Sequence, residues 1–93
     1  MEITYDPAKN ERNIRERGLS FARAIDFDFE TARRVEDTRR DYGERRFLAV
    51  GYLDERLHVL CFTTTDAGIR VISFRKANGR EVRQYGEAKA TDR

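Results

Sequence analysis

Residues 68–85, with the sequence GIRVISFRKANGREVRQY, decide the fold that we expect for this chain. Side chains 69–76 fall into two alternating sets, each of which mixes apolar and cationic groups, and this period of two is typical of a β-strand. Asn78 is placed to cap a following helix, and Glu81, three residues later, completes a capping box. The stretch carries five basic residues and one acidic residue. It therefore predicts a strand that leads directly into a helix, with positive charge concentrated on both.

Two more strands and a tight turn precede this unit. Residues 46–53 and 57–64 read as strands separated by Asp54 and Glu55, so they predict a hairpin although the turn lacks its usual glycine. A second turn at residues 65–68 leads into the strand described above. The centre of the chain is therefore predicted to be a three-stranded antiparallel meander.

The first 44 residues predict a strand, two helices, another strand and a loop. Residues 3–5 form a short strand that ends at Asp6 and Pro7, which suit the start of a helix running to about Arg17. Ser20 caps a second, short helix whose apolar stripe belongs to the core. Residues 29–37 predict a strand that is either an edge strand or irregular. Residues 38–44 predict a polar loop able to open or close over a site.

The predicted order of elements is β-α-α-β-β-β-β-α, with the last helix ending near residue 88 and a frayed tail from about residue 89. This order favours an α+β fold, a small antiparallel sheet with the helices packed on one face. A length of 93 residues, 39% of them hydrophobic, fits a single domain spanning 1–93. The expected core contains Phe21, Phe27, Phe47, Phe62 and Phe74.

The composition argues against several classes of protein. A single cysteine, Cys61, allows neither an internal disulfide nor a zinc cluster, and we expect it to be a small buried hydrophobe. No apolar run is long enough to span a bilayer, and the N-terminal segment lacks the features of a signal peptide. We expect a cytoplasmic protein with no cofactor, no metal site and no membrane contact. The net charge is only +2, so the location of the charges matters more than their sum.

Three segments resemble the BrnT toxin family: DPAKNERNIRERGLSF at residues 6–21, GERRF at 43–47 and IRVISFRKANGREVRQY at 69–85. They occur in the expected order between residues 6 and 85, so the resemblance extends over nearly the whole chain. The resemblance implies a RelE-like fold and a type II toxin that cleaves RNA without a metal and arrests translation. It also implies two partners, an RNA substrate and a BrnA-like ribbon-helix-helix antitoxin encoded beside the toxin. DNA would be contacted only through that antitoxin.

Metal-free cleavage of RNA requires a base for the 2′-hydroxyl, positive charge at the scissile phosphate and an acid for the leaving oxygen. Arg70 and Arg75 are the leading residues for the phosphate, with Lys76 in support, because a guanidinium can hold two phosphate oxygens. In a regular strand, Arg70 and Arg75 point to opposite faces, so only one of them would enter a given site. A bend at the strand end would re-aim Arg75.

The acid and the base are open among three residues, each of which also has an ordinary structural interpretation. Histidine is a common general acid or base, and His58 lies on the strand beside the one that bears Arg70, but a lone strand histidine is often structural. Glu81 is either a base or only a capping residue. Tyr85 would donate a proton or stack on a base, or else pack in the core.

A second group of side chains is expected to bind the RNA. The group contains Arg45, Arg46, Arg80, Arg83 and Ser73. For Arg45 and Arg46, a grip on the phosphate backbone competes with a solvated surface position. Three function classes therefore remain open: a toxin ribonuclease, a basic nucleic-acid-binding module without catalysis, and an interaction domain that holds a protein partner.

Overall fold

The structure is a computed structural model that describes residues 1–91. In chain order the elements are strand β1 (Glu2–Tyr5), helix α1 (Pro7–Arg17), the 3-10 helix η1 (Phe21–Asp26), strands β2 (Arg33–Glu36), β3 (Phe47–Leu53), β4 (Arg56–Thr64) and β5 (Gly68–Lys76), and helix α2 (Gly79–Thr91). The α+β class and the order of elements are those predicted from the sequence. Within this part of the chain, no helix is both long enough and apolar enough to cross a bilayer.

The five strands form one mixed sheet in the order β1-β5-β4-β3-β2. The predicted meander is confirmed, because β3, β4 and β5 pair antiparallel with their neighbours. β1, however, pairs parallel with β5, so the expectation of a purely antiparallel sheet is wrong. α1 and η1 connect β1 at one edge of the sheet to β2 at the other, so β1 lies beside β5 and not beside the strand that follows it in the chain. An alternating pattern carries no information about strand direction.

The sheet buries a different core on each face. One face holds the larger cluster, in which η1 packs Phe21 and Phe27 against Leu60, Phe62 and Phe74. All five predicted core phenylalanines are buried in this cluster. The opposite face holds a smaller cluster of Leu57, Val59, Ala77 and Tyr85.

α2 packs on the face opposite η1, which corrects the prediction that all helices share one face. Tyr85 of α2 contacts the cluster that contains Leu57 and Val59, and these alternate along β4 with Leu60 and Phe62 of the other cluster. Successive side chains of a strand point to opposite sides of a sheet. β4 therefore carries apolar side chains on both faces of the sheet. η1 covers one face and α2 covers the other.

Two element boundaries also differ from the sequence prediction. β2 has four residues rather than nine, because Asp28 accepts hydrogen bonds from the backbone of Glu30 and Thr31 and from the Thr31 hydroxyl. This local turn takes the residues before Arg33 out of the sheet. α2 continues to Thr91, so residues 89–91 are helical rather than frayed, and the remaining two residues of the predicted tail lie outside the described part of the chain.

α1 is attached to the fold through two buried asparagines. The Asn13 side-chain amide donates to the carbonyl of Leu19 at 2.9 Å and to the carbonyl of Phe74 at 3.0 Å. The Asn10 side-chain oxygen accepts from the backbone N–H of Phe21 at 2.7 Å. Ile14, an apolar residue of the same helix, stays 39% exposed. Polar anchors rather than an apolar stripe therefore fix this helix.

The β3–β4 hairpin turns at Asp54 and Glu55, as predicted, and both residues adopt left-handed backbone angles with φ of 50° and 66°. A side chain with a Cβ is disfavoured there by about 1 kcal/mol or more, and glycine is not. Asp54 offsets part of this cost because it accepts two hydrogen bonds from Arg23. No such bond involves Glu55 in the described residues.

Glu55→Gly should therefore raise the free energy of unfolding by about 0.5–1 kcal/mol, the strain relieved minus the extra entropy of the unfolded chain. Urea denaturation measures this change. Glu55→Ala is the matched control, since it removes the same carboxylate without relieving the backbone. Equal effects of the two variants would show that the charge, and not the backbone angle, limits stability at this turn.

Candidate functional site

A cavity of about 630 Å³ lies between α2 and the sheet face that α2 covers. The strands contribute an apolar surface made of Val35, Leu48, Val50, Val59 and Cys61. Polar side chains of the lining are Arg33, Arg39, Ser73, Arg75, Glu81 and Gln84. We call this space the α2 cavity. It combines an apolar wall with three guanidinium groups and a single carboxylate.

A β-bulge places Arg70, Ser73 and Arg75 on the same face of the sheet. Arg75 pairs with Val59 and Ser73 with Cys61, whereas Val71 pairs with Phe62, so Ile72 has no partner on β4. Such an extra residue reverses the side-chain alternation beyond it. The expectation that Arg70 and Arg75 point to opposite faces is therefore wrong.

Arg75 and Glu81 form a two-pronged ion pair at the wall of the α2 cavity. Nη1 and Nη2 of Arg75 donate to the two carboxylate oxygens of Glu81 at 2.8 and 2.9 Å. Nη1 also donates to the carbonyl of Lys76 at 3.3 Å. The Nε–H of Arg75 has no acceptor among the described residues. One edge of the guanidinium thus remains available to an anion in the cavity.

Glu81 has two tasks in the fold. Its carboxylate accepts from the backbone N–H of Asn78, while the Asn78 side chain accepts from the backbone N–H of Glu81, both at 2.9 Å, which confirms the predicted capping box. The hydrogen bonds from Arg75 hold the pKa of Glu81 below its ordinary value, and the same pair raises the pKa of Arg75. Glu81 is therefore ionised at neutral pH and is a weak base.

Tyr85 lines the α2 cavity, but its hydroxyl already has a partner. The hydroxyl donates to the carbonyl of Thr31 at 3.0 Å, and the ring packs edge-on against Tyr52. The residue is buried. Tyr85 thus ties α2 to the segment before β2. The side-chain hydroxyl of Ser73, by contrast, makes no hydrogen bond to the described part of the protein and is available to a ligand.

Arg33 and Arg39 line the α2 cavity from β2 and the loop that follows it, and neither was predicted for the site from the sequence. Arg39 donates through its backbone N–H, Nε and Nη2 to the buried carboxylate of Asp37, and Tyr42 donates its hydroxyl to the same carboxylate. These bonds, led by those of the Arg39 side chain, hold the pKa of Asp37 far below its usual range. Arg33 has no acidic partner within residues 1–91.

Arg70 faces the same side as the α2 cavity but does not line it. Its Nη2 donates to both oxygens of Glu44 at 2.8 Å, and Glu44 also accepts from Nε of Arg46 at 3.0 Å. The Arg46 guanidinium lies 4.3 Å from the ring centre of Tyr42. Arg45 pairs with Glu36. The loop after β2 is thereby joined to β5 by ion pairs rather than standing free.

His58 and Lys76 lie on the other face of the sheet, opposite each other on β4 and β5. His58 is buried, its Nδ1 donates to the carbonyl of Arg56 at 2.8 Å, and its ring contacts Phe74. With Arg17 they line a second cavity of about 440 Å³. The histidine expected as acid or base is therefore separated from Ser73 by the thickness of the sheet.

Arg80 and Arg83 are exposed on α2 and do not line the α2 cavity, whose helical wall comes from Glu81, Gln84 and Tyr85. A helix turn of 3.6 residues places 81, 84, 85 and 88 on one side, and 80 and 83 fall outside it. Of the residues predicted for the site, the α2 cavity thus unites Ser73, Arg75, Glu81 and Tyr85.

Residues 5–81 match the family described as "Ribonuclease toxin, BrnT, of type II toxin-antitoxin system". The chain belongs to the BrnT toxin family. The matched range contains the bulged strand, Arg75 and the capping residue Glu81, and so includes most of the α2 cavity. A comparison with curated proteins found no significant match.

Membership of the BrnT family confirms the resemblance seen in the sequence. It makes this chain a member of a group of ribonuclease toxins, which implies an RNA target and an antitoxin partner. Within residues 1–91, no three His, Cys, Asp or Glu side chains lie close enough together to hold a metal ion. The polar side chains that line the α2 cavity carry guanidinium, hydroxyl, carboxylate and amide groups.

Proposed function

We propose that this BrnT protein is an endoribonuclease that cleaves RNA in the α2 cavity without a metal ion and thereby inhibits translation. The 2′-hydroxyl loses its proton to water and attacks the adjacent phosphate, the bond to the 5′-oxygen breaks, and that oxygen takes up a proton from water, so that a 2′,3′-cyclic phosphate and a free 5′-hydroxyl are formed. Negative charge accumulates on the phosphate as this proceeds. The largest single contribution to the rate then comes from fixed positive charge at that phosphate.

Arg75 is the residue that we propose for this role. The observation that carries the proposal is that the Nε–H of Arg75 has no protein acceptor among the described residues, and that Arg75 lines the same cavity as Ser73, whose hydroxyl is also without a protein partner there. Two donors on one edge match two oxygens of a phosphate. Ser73 donates to the same group. Arg33 and Arg39 supply further positive charge at the opposite side of the cavity.

Glu81 acts on Arg75 rather than on the RNA in this proposal. Its two oxygens fix the guanidinium plane, and its low pKa makes proton abstraction from a 2′-hydroxyl unfavourable. A guanidinium held in advance needs no reorganisation when the transition state forms. Arginine stays protonated at every relevant pH, so Arg75 can stabilise the negative charge that accumulates on the phosphate in the transition state.

The antitoxin that we propose is a ribbon-helix-helix protein of the BrnA type, encoded beside the toxin. The α2 cavity carries three arginines and one glutamate, so an acidic or apolar segment of the antitoxin complements it. A segment seated there would exclude RNA by occupying the same space. DNA would be contacted only by the antitoxin.

The decisive experiment induces this chain with and without the neighbouring open reading frame and follows growth, protein synthesis and RNA integrity. We expect arrest and RNA fragments with the toxin alone and relief by the neighbour. The purified protein should cut RNA in EDTA and leave cyclic phosphate ends. RNA that is bound but remains intact would instead support a non-catalytic binding module, and cleavage lost in EDTA would refute the metal-free mechanism.

A further inference from the structure

The second cavity, which includes His58, lies at the end of β5 where α1 also ends. It is lined by Arg17, Gly18, Leu19, His58, Arg75 and Lys76. We call it the His58 cavity. Apart from Arg75, no side chain of this lining takes part in the proposed cleavage step. It lies on the other side of the sheet from the α2 cavity, and the two cavities share one lining residue, Arg75.

The charges in the His58 cavity are of a single sign. Arg17 and Lys76 contribute a guanidinium and an ammonium group, and the lining contains no carboxylate. Neither side chain forms an ion pair with the described part of the protein. His58 is only 5% exposed. Its Nδ1 donates a hydrogen bond to the carbonyl of Arg56, so Nε2 is the ring nitrogen that has no such partner. Unpaired cations around a concave surface attract an anion.

Arg75 connects the two cavities, since it belongs to the walls of both. It stands at the penultimate position of β5, so a ligand that runs over the strand end would reach both sides of the sheet. A single phosphate would contact only one of the two cavities. A polyanion with phosphates at regular intervals would contact both.

We propose that the His58 cavity binds a second backbone phosphate of the RNA strand whose scissile phosphate is held in the α2 cavity. This inference rests on the proposed function and adds to it the path of the substrate. The strand passes across the end of β5 at Arg75, and Arg17 and Lys76 hold the neighbouring phosphate. The contacts are to the backbone, so they raise affinity without selecting a base.

The test compares Arg17→Ala and Lys76→Ala with Arg15→Ala. Arg15 is also a cation of the last turn of α1, but it lies outside both cavities. The probe is a decanucleotide with 2′-O-methyl groups, which cannot be cleaved, and a dinucleotide with one phosphate serves as the short probe. Fluorescence anisotropy measures affinity at several salt concentrations, and thermal melting confirms that each variant is folded.

Each of the two variants should weaken decanucleotide binding about tenfold, as expected for the loss of one charge-assisted hydrogen bond. The slope of log affinity against log salt should fall by about 0.7, the value for one phosphate of a single strand. Dinucleotide binding and the Arg15→Ala variant should change little. If Arg17→Ala and Lys76→Ala bind the decanucleotide as tightly as Arg15→Ala does, the inference is overturned.

The two proposals fail in different ways. If the wild-type protein cleaves RNA but all three variants bind the decanucleotide equally, the proposed function stands and the second phosphate site is refuted. A wild-type protein that leaves RNA intact, but whose affinity depends on Arg17 and Lys76, would remove the ribonuclease activity and support the second site. Equal losses for the dinucleotide and the decanucleotide would show a site for a lone anion, and would contradict the proposed path.

Discussion

Arg75→Ala should lower the rate of RNA cleavage about 100- to 1,000-fold, the usual loss when one preorganised donor to a developing oxyanion is removed. The guanidinium of Arg75 is held by Glu81, its Nε–H has no acceptor among the described residues, and Arg75 lines the α2 cavity. Alanine removes both the charge and the donors. Cleavage of a fluorogenic RNA under single-turnover conditions in EDTA measures the rate, and Arg15→Ala is the control for the loss of a surface arginine.

Arg75→Lys should restore little of this activity. A lysine keeps the positive charge but cannot hold Glu81 and two phosphate oxygens in one plane. Activity of Arg75→Lys within about threefold of the wild type would mean that charge alone suffices, and the geometric part of the proposal would then be wrong. Thermal melting must show that both variants remain folded, because Arg75 also contributes an ion pair to α2.

Glu81→Gln separates the two roles that are open for Glu81. Glutamine still accepts the hydrogen bond from Asn78, so the start of α2 is preserved, but the charge is lost. If Glu81 only positions Arg75, cleavage should fall about tenfold, because a charge-assisted pair is replaced by a weaker neutral one. If Glu81 is the general base, the rate should fall as far as it does in Arg75→Ala.

The local features of this fold follow from short stretches of sequence. Asp6 and Ser20 each accept a hydrogen bond from the backbone N–H two residues later, as a cap does. The capping box of Asn78 and Glu81 likewise needs only four consecutive residues. Each of these interactions depends on residue type and spacing alone, so the sequence is sufficient to predict it.

The composition of the site depends on pairing that sequence patterns do not reveal. One unpaired residue, Ile72, brings Arg70 to the face of Arg75, and neither glycine nor proline marks that position. Arg33 lines the α2 cavity from β2, the edge strand that β3 and β4 separate from β5. Arg33 and Val35 are two residues apart and so lie on one face of β2, but this spacing does not indicate which helix covers that face.

The attachment of α1 to the fold is another feature that the sequence pattern does not reveal. The few apolar residues of α1 predict a surface helix, yet it is held to the fold by two buried asparagines, a residue type that is usually exposed. The sequence does not say that a polar side chain will meet two backbone carbonyls. In the structure the amide nitrogen of Asn13 donates to Leu19 and Phe74, and so bridges the end of α1 to the middle of the sheet.

Asn13→Asp should destabilise the fold by about 2–4 kcal/mol, because two carbonyls lose their donor and a buried carboxylate is placed beside them. Aspartate has nearly the same shape as asparagine, so packing is almost unchanged. Asn13→Ala should cost less, since it introduces no charge, and Ile14→Ala should cost under about 1 kcal/mol because Ile14 is partly exposed. Urea denaturation at neutral pH gives all three values. If Asn13→Asp is no less stable than Asn13→Ala, the amide is not the donor that holds α1 to β5, and the docking of that helix must be explained by its remaining contacts, chiefly those of Asn10 with the start of η1.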